Sequence, residues 1–172
     1  DAARTFAPQK GATAAQVALL ERRLQRMAAE LEAVAGFDVA NLPGSGAAGG
    51  LAGALAALGA TLVPGFDVVA EALDLAERVA AADLVVTGEG LLDDQSFAGK
   101  AVGGMVGLAS AAGVPVVAVV GDVEPGTEVP PGVEVVSLVS LVGERRARED
   151  AAASLTEAVA LLLADRRRSE AQ

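Results

Sequence analysis

The 172-residue chain sets 23 acids against 13 lysines and arginines, for a net charge of −10, and alanine inflates its apolar share of 52%. A phosphate backbone needs a basic face, so this balance disfavours nucleic acid as a partner. With no cysteine, histidine, tyrosine or tryptophan, thiol chemistry, imidazole bases and soft-metal sites are excluded, and any chemistry must run on carboxylates, hydroxyls, amides, Lys and Arg.

A metal, if one is used, is then a hard, oxygen-bound ion, with Mg²⁺ the leading candidate beside phosphates. No run approaches 18 large apolar residues and no charged-then-apolar leader opens the chain, which points to a soluble, cytoplasmic protein without a membrane partner. The chain opens on Asp1 rather than Met, close before its first motif, and is expected to be a fragment or a trimmed product.

In chain order, Phe6-Ala7-Pro8-Gln9-Lys10-Gly11 reads as a turn, with Pro8 blocking a helix and Gly11 permitting an unusual backbone angle. Thr13 and Gln16 form a capping-box pattern, after which Val17, Leu20, Leu24, Met27, Leu31 and Val34 recur at spacings of three and four. That predicts an amphipathic helix over 13–35, ended by Gly36 and too short in its seam for a coiled coil. Phe37 to Leu42 is a weak strand candidate.

Residues 43–50, PGSGAAGG, hold the G-x-G-x-x-G spacing at Gly44, Gly46 and Gly49 and open an alanine-rich helix to about Leu58. Glycines there let backbone N–H groups approach a phosphate at a helix start. The competing explanation is close packing through Gly49, Gly50, Ala52, Gly53 and Ala56. Pro43 and the poor strand before it argue against a dinucleotide fold, so a nicotinamide-dependent oxidoreductase ranks last among the functions weighed.

Thr61 to Val63 reads as a short strand and Pro64-Gly65 as a turn. Asp67 to Ala80 is expected to be a helix capped by Asp67. Leu84-Val85-Val86 then forms a strand, followed by an acidic loop and a helix through Val102, Met105, Val106 and Ala109 to Gly113. Val116 to Val120 is the best strand in the sequence, and the span from Leu84 to Val116 suits a βαβ unit with parallel strands. Asp122 falls near the same sheet edge as Glu89. After a proline-rich loop over 124–132, Val133 to Val139 is a further strand, and a last helix is expected from about Arg148 to Asp165.

The loop after the first strand gathers Glu89, Asp93, Asp94, Gln95, Ser96 and Lys100. Phosphoryl transfer needs a carboxylate to hold Mg²⁺ or orient a hydroxyl, a cation for phosphate oxygens, and amides to receive negative charge. Here Glu89 or Asp93 can hold metal, Asp93 can act on the acceptor, Lys100 can meet phosphate, and Ser96 is expected to cap the following helix. Gly99-Lys100 is not part of a Walker A loop, which requires glycine at Asp94 and Ser or Thr at Ala101. Gly99 is expected just inside the helix, where glycine calls for a reason such as close approach. The bland alternative is a set of solvated loop acids with Lys100 pointing to water.

The run from Ala82 to Lys100 resembles a family pattern, ADLV-[IV]-TGEG-x-[IL]-D-x-Q-[ST]-x-x-GK, matched here at Thr87, Gly88, Glu89, Gly90, Asp93, Gln95, Ser96, Gly99 and Lys100. FAPQKG at 6–11 and PGSGAAGG at 43–50 match two more blocks in the same order. The three together resemble the carboxy-terminal portion of the bacterial-type glycerate kinases. Ala7 stands where that family usually has glycine and Val102 where it commonly has proline, and its amino-terminal DSFKG-type motif has no counterpart. The resemblance implies an α/β fold, with a parallel-sheet, Rossmann- or flavodoxin-like part over 81–172 carrying the TGEG loop and part of a second, inserted α/β domain over 1–80. It also implies ATP-dependent phosphorylation of D-glycerate, with Lys10, Gly44, Gly46, Gly49, Gln95 and Ser96 binding substrate or phosphate, Asp93 and Lys100 catalytic, and Glu89 with Asp93 on the metal. The implied partners are ATP, Mg²⁺, D-glycerate and the amino-terminal part of the same protein. From a different class, a non-catalytic α/β module that binds a phosphate or a partner fits the same residues.

Overall fold

The computed structural model describes residues 2–97 and 99–170. The chain divides into two compact units, Asp1–Pro64 and Gly65–Gln172, where the sequence reading set its boundary between residues 80 and 81.

In the first unit, α1 (Ala2–Phe6) leads through a 3₁₀ turn over Pro8–Lys10 to α2 (Ala14–Ala35). The expected capping box closes α2: Thr13 Oγ1 accepts from Gln16 N–H, and Gln16 Oε1 accepts from Thr13 N–H at 2.8 Å. Gly36, left-handed at φ 76°, ends the helix. A second 3₁₀ turn, Ala47–Gly50, runs into α3 (Leu51–Ala57).

The strands expected at 37–42 and 61–63 are corrected. Residues 37–46 form bends and turns and 60–64 have no regular structure. Asp38 explains the first: its carboxylate accepts from the N–H of Asn41 at 3.2 Å and from the Asn41 amide at 2.7 Å, so the side chain closes a turn in place of a strand ladder. Among the described residues of this unit there is no strand.

The second unit begins with α4 (Gly65–Ala72) and α5 (Leu75–Ala80). The single helix expected over 67–80 is broken at Asp74, whose φ of 52° is left-handed, a conformation that Asp adopts more readily than most residues. Asp67 lies inside the first turn of α4 and is not its cap. Then follow β1 (Val85–Thr87), β2 (Leu91–Leu92), α6 (Ala101–Ala112), β3 (Val116–Val120), β4 (Asp122–Val123), β5 (Val133–Ser137), α7 (Leu138–Val142), α8 (Glu144–Glu149) and α9 (Ala151–Glu170). The last strand thus stops at Ser137, whose side chain caps α7. The final segment is three helices, divided at Gly143 (φ 84°) and Asp150, where one was expected.

All pairing is parallel, in the order β1-β3-β5, with β2 beside β4. The β1-α6-β3 unit bears out the expected βαβ crossover. Residues 121–132 carry the chain from β3 to the edge strand β5 with no crossover helix. Every residue of β3 is buried, and its alternation sorts the core into two layers. Val116, Ala118 and Val120 pack with Val79, Val102, Val106 and Ala109 on one face. Val117 and Val119 pack with Leu138, Ala147, Ala158 and Leu162 on the other. A parallel sheet covered on both faces is the doubly wound α/β arrangement, as expected for this half of the chain.

Candidate active site

Val85 pairs with Val116 and Leu91 with Asp122, so both ladders keep one offset of 31 residues. Gly121 N–H donates to Glu89 O and Asp122 N–H to Gly90 O, each at 3.0 Å, which bridges the two ladders. The TGEG run is therefore an interruption within one continuous parallel pairing, and the strand reaches its carboxyl end only at Leu92. Two glycines make that interruption possible by their size. A Cβ on Gly88 would overlap the Val119 carbonyl oxygen, and one on Gly121 would overlap the Gly90 carbonyl oxygen.

Glu89 is held in the middle of this pairing. Its Oε1 is buried and has no hydrogen-bond partner among the described residues, a costly state for a carboxylate oxygen unless something else meets it.

Asp93 follows directly on the strand end, where open α/β sheets place their ligands. Ser96 N–H and Ser96 Oγ donate to Asp93 Oδ1 at 2.8 and 2.9 Å, while Asp93 N–H donates to Ser96 Oγ at 2.9 Å. Lys100 Nζ lies 3.6 Å from the same Oδ1. The Ser96 hydroxyl holds the Asp93 carboxyl below its usual range; burial opposes it, and the nearby Lys100 ammonium adds a lesser lowering.

Ser96 does not cap the helix as expected. It is fully buried within a 3₁₀ turn, Asp94–Phe97, and α6 starts five residues later with Lys100 as its N-cap and no side-chain cap. Gly99 likewise lies outside the helix. Its φ of 89° explains the glycine, since a Cβ there would meet nothing within 4 Å. Gln95 is exposed on the same turn.

Sequence reasoning missed a brace behind this turn. Asp94 Oδ1 accepts from Glu128 N–H at 3.3 Å, Glu124 N–H donates to Leu92 O at 2.9 Å, and the Thr127 hydroxyl donates to Glu124 O at 2.8 Å. The proline-rich loop thus ties down the segment that presents Asp93. The Asp93-x-x-Ser96 spacing was the available signal for the turn; the contacts to 124–128 have none.

The remaining candidates belong to the first unit. Gly44 and Gly46 line a hollow of about 720 Å³ among α1, α2 and the glycine-rich loop, whereas Lys10, which is exposed, lines a separate depression of about 510 Å³. The amides of Ser45, Ala47, Gly50 and Gly53 bond within the loop region, so any phosphate contact would fall to its other amides. Packing accounts for several of the glycines. A Cβ on Gly46 would come 2.9 Å from that of Ala2, one on Gly50 3.0 Å from Met27 Cε, and one on Gly53 3.0 Å from Val39 Cγ1. Gly44 and Gly49 have left-handed backbones, and Ala48 shares that conformation at φ 52°.

Comparison with known proteins agrees with this architecture. A solved structure of a putative glycerate kinase 2 from Salmonella typhimurium LT2 superposes with a TM-score of 0.54 at 33% identity, covering 95% of this chain and 44% of that one. The glycerate kinase of Halalkalibacterium halodurans is 44% identical over 128 residues, 74% of this chain and 34% of its own. The glycerate 2-kinase of Escherichia coli K12 is 41% identical over 121 residues, 70% of this chain and 32% of its own. An uncharacterized protein of Mycobacterium bovis is 47% identical over the same shares. The chain spans about a third of the length of the curated relatives it matches. The glycerate kinase family matches residues 1–166, and the chain belongs to that family.

Proposed function

We propose that this chain contributes the acidic-loop side of a site that transfers the terminal phosphoryl group of ATP to a hydroxyl of D-glycerate, giving phosphoglycerate and ADP. The observation that carries the reading is the grouping of an ionised Asp93, the Lys100 ammonium 3.6 Å away and the start of α6 at one strand end. Family membership supports the substrate class.

Phosphoryl transfer asks little covalent chemistry of the protein and much positioning and charge. A carboxyl held below its usual range is a poor proton acceptor near neutral pH, because a general base works best with a pKa near the working pH. Asp93 therefore serves chiefly to orient the acceptor hydroxyl by accepting its hydrogen bond. Lys100 leaves Asp93 for the transferring phosphate oxygens, aided by the amides that open α6. Gln95 contacts the substrate from the neighbouring turn. Within the first unit taken by itself, Lys10 and the loop of Gly44, Gly46 and Gly49 are the candidates for binding phosphate.

The residues fit Mg²⁺. The donors are all oxygen, Glu89 Oε1 is an orphaned buried carboxylate oxygen, and Mg²⁺ characteristically takes one or two carboxylates together with waters and substrate phosphates. That habit suits a chain in which no group of three or more acids poised for a metal occurs among the described residues. Glu89, with Asp93, would hold the ion. Its chemistry there is to neutralise charge on the phosphate oxygens. Among the described residues no helix is long and apolar enough to cross a membrane, and a cytoplasmic setting suits an enzyme that consumes ATP.

The test is ADP formation by the complete product of the gene. Release that saturates with, and requires, D-glycerate supports the reading. Ligand binding without turnover would instead favour a non-catalytic phosphate- or partner-binding module.

A further inference from the structure

We infer that Ser96 is a positioning residue which fixes Asp93 in one rotamer, with Oδ1 held inside the protein and Oδ2 left for the ligand. The inference deepens the reading of Asp93 given above and rests on it. The sequence placed Ser96 among the groups that bind substrate or phosphate. Its side chain is instead fully buried, and its hydroxyl is used twice on a single neighbour.

That hydroxyl accepts from the Asp93 N–H at 2.9 Å and donates to Asp93 Oδ1 at 2.9 Å, while the Ser96 N–H donates to the same oxygen at 2.8 Å. Ser96 N–H also reaches the Asp93 carbonyl at 3.0 Å. The arrangement has the reciprocity of a capping box, with each residue bonding the other's backbone. Its effect on the carboxylate is asymmetric. Oδ1 receives both Ser96 donors and the Lys100 ammonium, whereas Oδ2 takes no hydrogen bond among the described residues. An unheld side chain would turn about χ1 and carry both oxygens out of this arrangement. The two bonds from Ser96 to Oδ1, with the Asp93 N–H holding the Ser96 hydroxyl in place, prevent that turn and leave one oxygen with its acceptor capacity unspent.

The turn that carries this pair is itself anchored. Phe97 Cα would lie 2.7 Å from a Cβ at Gly103 of α6, so the end of the turn rests directly on the helix backbone. The carbonyl of Leu92, one residue before Asp93, is bonded by Glu124 N–H at 2.9 Å. Both sides of the Asp93–Ser96 box are therefore fixed, and the rotamer of Asp93 is what Ser96 adds.

Two measurements test this. In the 172-residue chain, three-bond couplings read the χ1 angle of Asp93. A single rotamer is expected in the wild type and in Ser96→Thr, which keeps the hydroxyl, and rotamer averaging in Ser96→Ala. In the complete gene product, Ser96→Ala should lower kcat about tenfold to a hundredfold with little change in the KM for ATP, as expected for a misplaced reacting group, and Ser96→Thr should restore it. Adding Ser96→Ala to Asp93→Asn should cost nothing further, because Ser96 acts only through that carboxylate. A single Asp93 rotamer in a folded Ser96→Ala protein overturns the inference, as does a full additional loss in the Asp93→Asn background. A kinetically silent Asp93→Asn would overturn the functional reading of Asp93 instead, and the couplings would still report whether Ser96 fixes the rotamer.

Discussion

Gly88→Ala adds one methyl group directly after β1, against the backbone of β3. The Cβ would overlap the carbonyl oxygen of Val119, and the obstacle is backbone, so no side chain can rotate to relieve it. Val119 belongs to a strand with every residue buried and partners on both sides, which leaves separation of β1 from β3 as the only escape. Overpacking of this kind costs about 1–3 kcal/mol where side chains can adjust, and more where they cannot. We expect about 3 kcal/mol, a fall in melting temperature of roughly 10 °C for a unit of this size. Gly107→Ala is the matched control, since a Cβ at this exposed helix position meets nothing within 4 Å. It should stabilise by about 0.5–1 kcal/mol through the unfolded chain and the helix. Thermal unfolding followed by circular dichroism reads both. Because Glu89 is the next residue, Gly88→Ala should also weaken nucleotide binding at a temperature where the protein remains folded. A Gly88→Ala variant that melts within about 2 °C of wild type would refute the continuous pairing through the TGEG run.

Asp93→Asn keeps shape but removes the charge that orients the acceptor hydroxyl, and should lower kcat about a hundredfold in the complete gene product while leaving the KM for ATP nearly unchanged; steady-state kinetics with D-glycerate decide it. Activity should vanish in excess chelator and return with Mg²⁺ or Mn²⁺, and turnover that is undiminished without them would contradict the role given to Glu89. Asp38 is held below its usual carboxylate range first by the Asn41 amide and then by the Asn41 N–H. Its contribution to stability is therefore present above the unfolded value and lost as pH falls through the lower folded one. Asp38→Ala should accordingly be less stable than wild type at neutral pH and converge on it below about pH 3, as read from denaturant unfolding at a series of pH values.

How much of this was legible in the sequence depended on whether the signal was local. The helix from Ala14 to Ala35 declared itself because Thr13, Gln16 and Gly36 are caps and its apolar spacing is regular. The β1-α6-β3 unit was legible because β-branched runs flank a segment of helical length. The expected strands at 37–42 and 61–63 failed for want of partners, and Asp38 supplied the first with a competing turn. Two breaks fall at aspartates, where composition does not announce them: Asp74, left-handed at φ 52°, divides the helix expected over 67–80, and Asp150, at φ −134°, ends α8 with an irregular backbone. β2 and β4 are only two residues each, below the length at which alternation can be read. At the site, the residue types were legible but not their directions. Sequence showed that Ser96 was near Asp93; only the structure shows its hydroxyl turned inward onto that carboxylate.

The start of α6 is proposed to receive the transferring phosphoryl group, and that proposal turns on Lys100. Its side chain is about half exposed, makes an ion pair with Asp93, and gives α6 no side-chain cap, so Lys100→Met should leave the melting profile nearly intact. Removing an electrostatic contact made in the transition state typically costs about 3 kcal/mol, or roughly a hundredfold in rate. The measurement is kcat for D-glycerate-dependent ADP release by the complete gene product carrying Lys100→Met. A folded protein with kcat lowered about a hundredfold is expected. A folded Lys100→Met enzyme with wild-type kcat would contradict it and leave Lys100 as a solvated residue at the end of a helix.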